Sequence, residues 1–171
     1  MIALCAAISA GEMWVACCLN QSSKTRYVGN SAWMYAIIAG RSTPVTPANQ
    51  VSKPLAGPDG RTEMLLQNPK ADRGVSLIFP VQQLPCVTLW KNLAAIEEGY
   101  VTGIEPGTGF PYTRRLERAA GRVPKLAPNE TRSFNIEVSI HLDPAGVESA
   151  ARRVNELQGG IKPVVDYVSP H

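Results

Sequence analysis

Apolar and polar residues alternate through much of the middle of this chain. The clearest stretch is Ser133–Ile140: Phe134, Ile136, Val138 and Ile140 fall on one side, and Ser133, Asn135, Glu137 and Ser139 on the other. Successive side chains of a β-strand point to opposite faces, so this period of two predicts a strand with the four apolar residues turned inward. Thr62–Leu66, Gly74–Phe79, Cys86–Trp90 and Tyr100–Glu105 read as further strands. Turn signals bound them at Gly60, Asn68-Pro69, Pro80, Pro85 and Pro106.

The period changes after Leu142. Val147, Ala150, Ala151, Val154 and Leu157 recur at helical spacing. Asp143 suits the N-cap, because its carboxylate can accept from the free N–H groups of the first turn, and Pro144 fits the first helical position. Gly159-Gly160 predicts the stop. Residues 1–40 are apolar without a decisive period. Gly40–Arg61 reads as a loop, since Pro44, Pro47, Pro54 and Pro58 remove backbone donors. The predicted organisation is an irregular N-terminal segment over 1–60, a β-rich unit over 61–160 and a tail over 161–171. The fold class is all-β, mainly antiparallel, with one C-terminal helix.

Composition narrows the function. The net charge of +3 comes from 17 basic and 14 acidic residues, scattered apart from the pairs Arg114-Arg115 and Arg152-Arg153. Nucleic-acid binders gather positive charge into a stripe, so no nucleic-acid partner is expected. No run reaches the ~18 apolar residues of a membrane helix, so no membrane partner is expected either. The apolar start MIALCAAISA lacks a basic region ahead of it and is soon interrupted by Glu12, which argues for a cytoplasmic protein rather than a secreted one. Cys5, Cys17, Cys18 and Cys86 have neither paired C-x-x-C spacing nor a histidine-rich neighbour. Reduced thiols, with no metal and no cofactor, are the expectation.

Two adjoining blocks are distinctive: Leu84-Pro85-Cys86-Val87-Thr88-Leu89-Trp90-Lys91-Asn92, and Gly99-Tyr100-Val101-Thr102-Gly103-Ile104-Glu105-Pro106-Gly107-Thr108-Gly109-Phe110-Pro111. Together they resemble a branch of the aldose 1-epimerase (galactose mutarotase-like) family, in which an LP-x-x-T-x-WKN strand precedes a GYVTG-x-EPGT-x-x-P strand and loop. Gly121-Arg122-Val123 and Leu126-Ala127-Pro128 fit the closing strands of that branch. The resemblance extends over roughly Gly74–Leu142. It implies that residues 61–160 are the C-terminal part of a large antiparallel supersandwich, and that the partner is a small-molecule sugar. Half of such a sandwich leaves open strand edges and an uncovered apolar face, so self-association is also expected.

The resemblance places the family's catalytic carboxylate at Glu105. Mutarotation takes the proton from the anomeric hydroxyl while another group protonates the ring oxygen; a carboxylate can be the base and a histidine the acid. Trp90 could stack on a sugar face or belong to the core. Lys91 and Asn92 could donate to sugar hydroxyls, and Arg114, with Arg115 and Arg118 near it, could meet an acidic or phosphorylated sugar. Gln83 is a weaker pocket candidate, and Gly107 and Gly109 are expected to allow a tight turn rather than to touch a ligand.

The family's histidines belong to its N-terminal half. This chain has only His141, expected to face solvent, and the terminal His171. Three readings follow: an isomerase whose chain is incomplete, a non-catalytic carbohydrate-binding sandwich, or a truncated fragment.

Overall fold

The computed structural model describes residues 4–7, 35–38, 40–46, 49–68, 70–91 and 101–160, by backbone course alone before Val51 and at residues 91, 101 and 102. Five strands form one sheet in the order β1 (Leu4–Ala7), β8 (Val101–Gly107), β7 (Cys86–Lys91), β4 (Asn49–Pro54), β3 (Gly40–Thr46). Four form a second, in the order β2 (Tyr35–Ile38), β5 (Arg61–Gln67), β6 (Gly74–Pro80), β9 (Glu137–His141). Every pairing is antiparallel. Two helices, α1 (Arg114–Ala119) and α2 (Pro144–Gln158), complete the described elements.

Strand β5 shows how the layers are built. Its five central residues, Thr62 to Leu66, are all buried, so it is covered on both faces. Met64 and Leu66 point into the sandwich with Leu77 and Phe79 of β6, against Val87, Leu89 and Ile104 of the facing sheet. Leu65 points the other way and packs under Val147, Ala150 and Val154 of α2. The order of layers is therefore helix, four-stranded sheet, five-stranded sheet.

The sequence signals for α2 act as expected. The Asp143 carboxylate accepts from the Gly146 N–H at 2.7 Å, and Pro144 opens the helix. Gly159 closes it at φ 57°, a left-handed conformation that glycine adopts without steric cost. A bidentate ion pair fastens α2 to the sheet: Arg153 donates to the two Glu63 carboxylate oxygens at 2.7 and 2.8 Å.

Four expectations need correction. The stretch 1–60 contains strands β1 to β4; of the prolines read as a loop, Pro44 lies within β3 and Pro54 ends β4, whereas Pro58 does lie in a turn and Pro47 is outside the described residues. Pro44 sits where the β3–β4 register shifts, an irregularity that accommodates the missing N–H. The strand expected over 133–140 begins only at Glu137, and its apolar side is largely uncovered. Val138 is 50% exposed and Ile140 69%, and only Ile136 packs on the core. Val138 pairs with buried Leu77, so it lies on the inner face of its sheet, but at the edge strand, beyond what the facing described residues cover. His141 turns toward α2 rather than solvent, and its Nε2 lies 2.9 Å from the Ser76 hydroxyl. Helix α1 is an addition to the single helix expected.

The ion pair between Glu63 and Arg153 is asymmetric, because the Glu63 side chain is 6% exposed and the Arg153 side chain 44%. Removing the arginine strands a carboxylate out of water, whereas removing the glutamate leaves a guanidinium that can reach it. Arg153→Met is expected to destabilise the protein by about 1–3 kcal/mol, and Glu63→Gln by less. Paired urea melts check this; a larger loss in Glu63→Gln would reverse the account.

Candidate functional site

Strands β7 and β8 set out the site through their register. Thr88 lies opposite Glu105, Trp90 opposite Gly103 and Cys86 opposite Gly107. Alternation sends Val87, Leu89 and Ile104 into the sandwich and leaves Cys86, Thr88, Trp90 and Glu105 on the outer face of the five-stranded sheet. Val51 of β4 faces Thr88, so Val51, Thr88 and Glu105 form one row across three strands. This face is not bare surface: Val51 and Thr88 are each 2% exposed and Cys86 3%. Burial pushes the Cys86 thiol up to about 11, which leaves it neutral and unreactive near pH 7.

Glu105 is half-buried in this row. Burial disfavours the charged form and holds its carboxyl above the usual glutamate value. No arginine or lysine among the described residues forms an ion pair with it. A partly desolvated carboxylate is a better proton acceptor than one in water, which is the property a general base needs.

The loop leaving β8 is organised by a second acid. Glu117, 5% exposed, receives Arg122 in a fork at 2.6 and 3.0 Å, and its Oε2 also accepts from the Phe110 N–H at 3.1 Å. The Arg122 guanidinium lies 5.3 Å from the Phe110 ring centre. Gly109 passes so close that a side-chain carbon there would sit 3.0 Å from Glu117 Oε2. The chain bends at Thr108-Gly109, and Gly109 adds close approach to Glu117; neither Gly107 nor Gly109 has a positive φ, so the backbone of the bend does not itself require glycine.

The structure brings together only some of the residues singled out in the sequence. Glu105 and Trp90 share the outer face, and Trp90 is half-buried. Lys91 continues β7 opposite Thr102, its side chain outside the described residues, as are Asn92 and His171. Arg114 is exposed at the start of α1. Gln83 is engaged elsewhere, accepting from the Asn135 N–H at 2.7 Å. His141 belongs to the other sheet, on the face toward α2, so it does not supply an acid beside Glu105. Glu117 and Arg122 were not legible as a pair, because five residues apart among other charges they read as solvated surface.

A mainly antiparallel two-sheet sandwich, with a carboxylate on the outer face at the end of the EPGT-bearing strand, is the class defined here: part of a galactose mutarotase-like fold. The chain belongs to the family described as "Domain of unknown function (DUF4432)", whose model matches residues 44–140. It is also similar to a solved structure described as "a putative aldose 1-epimerase from Klebsiella pneumoniae subsp. pneumoniae MGH 78578". The identity is 32% and the TM-score 0.67, over 77% of this chain and 34% of that one. This chain thus spans about a third of that relative's length. No curated protein matches the sequence.

The Arg122 hydrogen bonds, aided by the Phe110 N–H, hold the Glu117 carboxyl below the usual range despite its burial. A carboxyl whose pKa is lowered on folding stabilises the fold fully above its unfolded value of about 4.3. That contribution is lost as pH falls through the lower folded value. Glu117→Gln is therefore expected to lower the melting temperature at pH 7, with the gap from wild type closing on acidification below about pH 4.3. A gap independent of pH would contradict the pairing.

Proposed function

We propose that this chain handles a free sugar at the outer face of its five-stranded sheet, with Glu105 as the base of an aldose 1-epimerase-type reaction interconverting α and β anomers. The observation that carries this reading is Glu105 itself: half-buried, raised by burial and without an arginine or lysine partner among the described residues. It stands where the family resemblance puts the carboxylate. The similarity to the Klebsiella structure supports an epimerase-like sandwich.

In the proposed reaction the Glu105 carboxylate takes the proton from the anomeric hydroxyl. The electron pair of that O–H bond becomes the carbonyl bond at C1, and the bond from C1 to the ring oxygen breaks as an acid protonates that oxygen. Rotation about C1–C2 presents the other carbonyl face, and reclosure returns the proton from Glu105. Trp90 would offer an apolar contact to the sugar ring. Lys91, the last residue of β7, and Asn92, next in sequence, would donate to its hydroxyls, and Arg114 would meet an anionic substituent. The acid lies outside the residues described beside Glu105.

One observation favours a second reading. With His141 on the other sheet, the described site has a base and no histidine, which suits a carbohydrate-binding sandwich without turnover.

Anomer exchange measured by NMR against the spontaneous rate separates the two. Under the epimerase reading the wild-type chain exceeds background, and Glu105→Gln loses about 10²–10⁴-fold, or about 3–5 kcal/mol of transition-state stabilisation, while keeping its melting temperature. Equal exchange above background in both proteins would remove Glu105 from the mechanism. Exchange at background in the wild type, with sugar still bound, would leave the binding reading in place of the catalytic one.

A further inference from the structure

Beside Glu105 on the same strand, two residues back and on the same face, stands Gly103. A side-chain carbon built there would lie 3.1 Å from Glu105 Oε1, 3.4 Å from its Cγ and 3.7 Å from its Cδ. The carboxylate therefore does not project from the sheet. It lies back along β8, over the space that a side chain at position 103 would fill. Gly103 is itself buried, and its neighbour across the ladder is Trp90. Its backbone needs no glycine, since it is absent from the positive-φ positions. Glycine inside a paired strand weakens the strand, and where the backbone conformation does not require it, it marks a close approach by another group. Here that group is the end of the Glu105 side chain.

We propose that Gly103 is the positioning residue for Glu105: its missing side chain opens the slot in which the carboxylate lies against β8, opposite Trp90. This rests on the reading of Glu105 as the base. The slot keeps the carboxylate down on the strand, away from water, while the Thr88 side of the row stays closed at 2% exposure. A group lying in the slot approaches a sugar hydroxyl from the floor of the site. One pushed out of it would stand upright in solvent and lose the partial desolvation that makes it a stronger base. On this face β1 places Cys5 opposite Gly103, Cys86 of β7 and Lys53 of β4 lie farther along, with Glu117 and Arg122 beyond Cys86, and the positive N-terminal amine draws the Glu105 carboxyl down against its desolvation.

The substitution Gly103→Ala separates positioning from fold. The nearest atoms to the added carbon belong to the flexible end of Glu105 rather than to backbone. The sheet is therefore expected to stay intact, and only the carboxylate to move. The measurement is the titration of the Glu105 carboxyl carbon by NMR in wild type and Gly103→Ala, with the backbone amide spectrum of each. Expected is a downward shift of the Glu105 midpoint toward the ordinary glutamate range in the variant, with the β7 and β8 amide pattern kept. The same midpoint in both folded proteins would overturn the proposal. Should the variant not fold, nuclear Overhauser contacts in the wild type decide: cross-peaks between the Gly103 α-protons and the Glu105 γ-protons support the slot, and their absence overturns it. Neither measurement needs sugar or turnover, so a failure of the epimerase reading in the exchange assay is distinguishable from a failure of the slot.

Discussion

The rest of this structure depends on the register of the β7–β8 ladder. Because the side-chain period of a strand is two, one register decides at once which residues form the core and which form the site. With Thr88 opposite Glu105, the intervening Val87, Leu89 and Ile104 are turned inward against Met64, Leu66, Leu77 and Phe79. A slip of β8 by one residue would send Glu105 toward that apolar cluster, where an unpaired carboxylate costs several kcal/mol. Burial of the inner row therefore fixes the placement of the outer one.

Three acids of the described residues illustrate how environment divides labour among like groups. Glu63 and Glu117 are almost fully buried, and each is gripped by an arginine in a fork, with Arg153 holding a helix to a sheet and Arg122 holding a loop to its own turn. Such charge-assisted pairs fix geometry, and their carboxylates are spent on structure. Glu105 is less buried and has no cationic partner of that kind among the described residues. Desolvation raises it where pairing lowers Glu117. Pairs of like groups pushed in opposite directions are how one fold separates structural from chemical roles.

Much of this was legible in the sequence wherever local chemistry agreed with tertiary context. Asp143, Pro144 and Gly159 mark the limits of α2 because capping acts over one turn of chain. Strands β5 to β8 were legible because turn residues bound them. Alternation misled at Phe134–Ile140: it reports that two faces differ, not that the apolar one is covered, and at the edge strand β9 it is not. Prolines misled at β3 and β4, where an irregular register accommodates Pro44 and the end of the strand accommodates Pro54. Motif resemblance pointed to Glu105 as a candidate, but it could not show the space at Gly103 or the Glu117–Arg122 fork, which exist only once the chain has brought side-chain ends together.

The central claim is that the outer face of the five-stranded sheet, around Glu105, is where a sugar is received. Residue-resolved NMR of the labelled protein during addition of a free aldose such as galactose tests this most directly. The account predicts saturable shifts at Thr88, at the Trp90 indole N–H and at the Glu105 carboxyl carbon, with α2 and β9 unmoved. Shifts confined to α2 or β9, or an unchanged spectrum at saturating sugar, would contradict it.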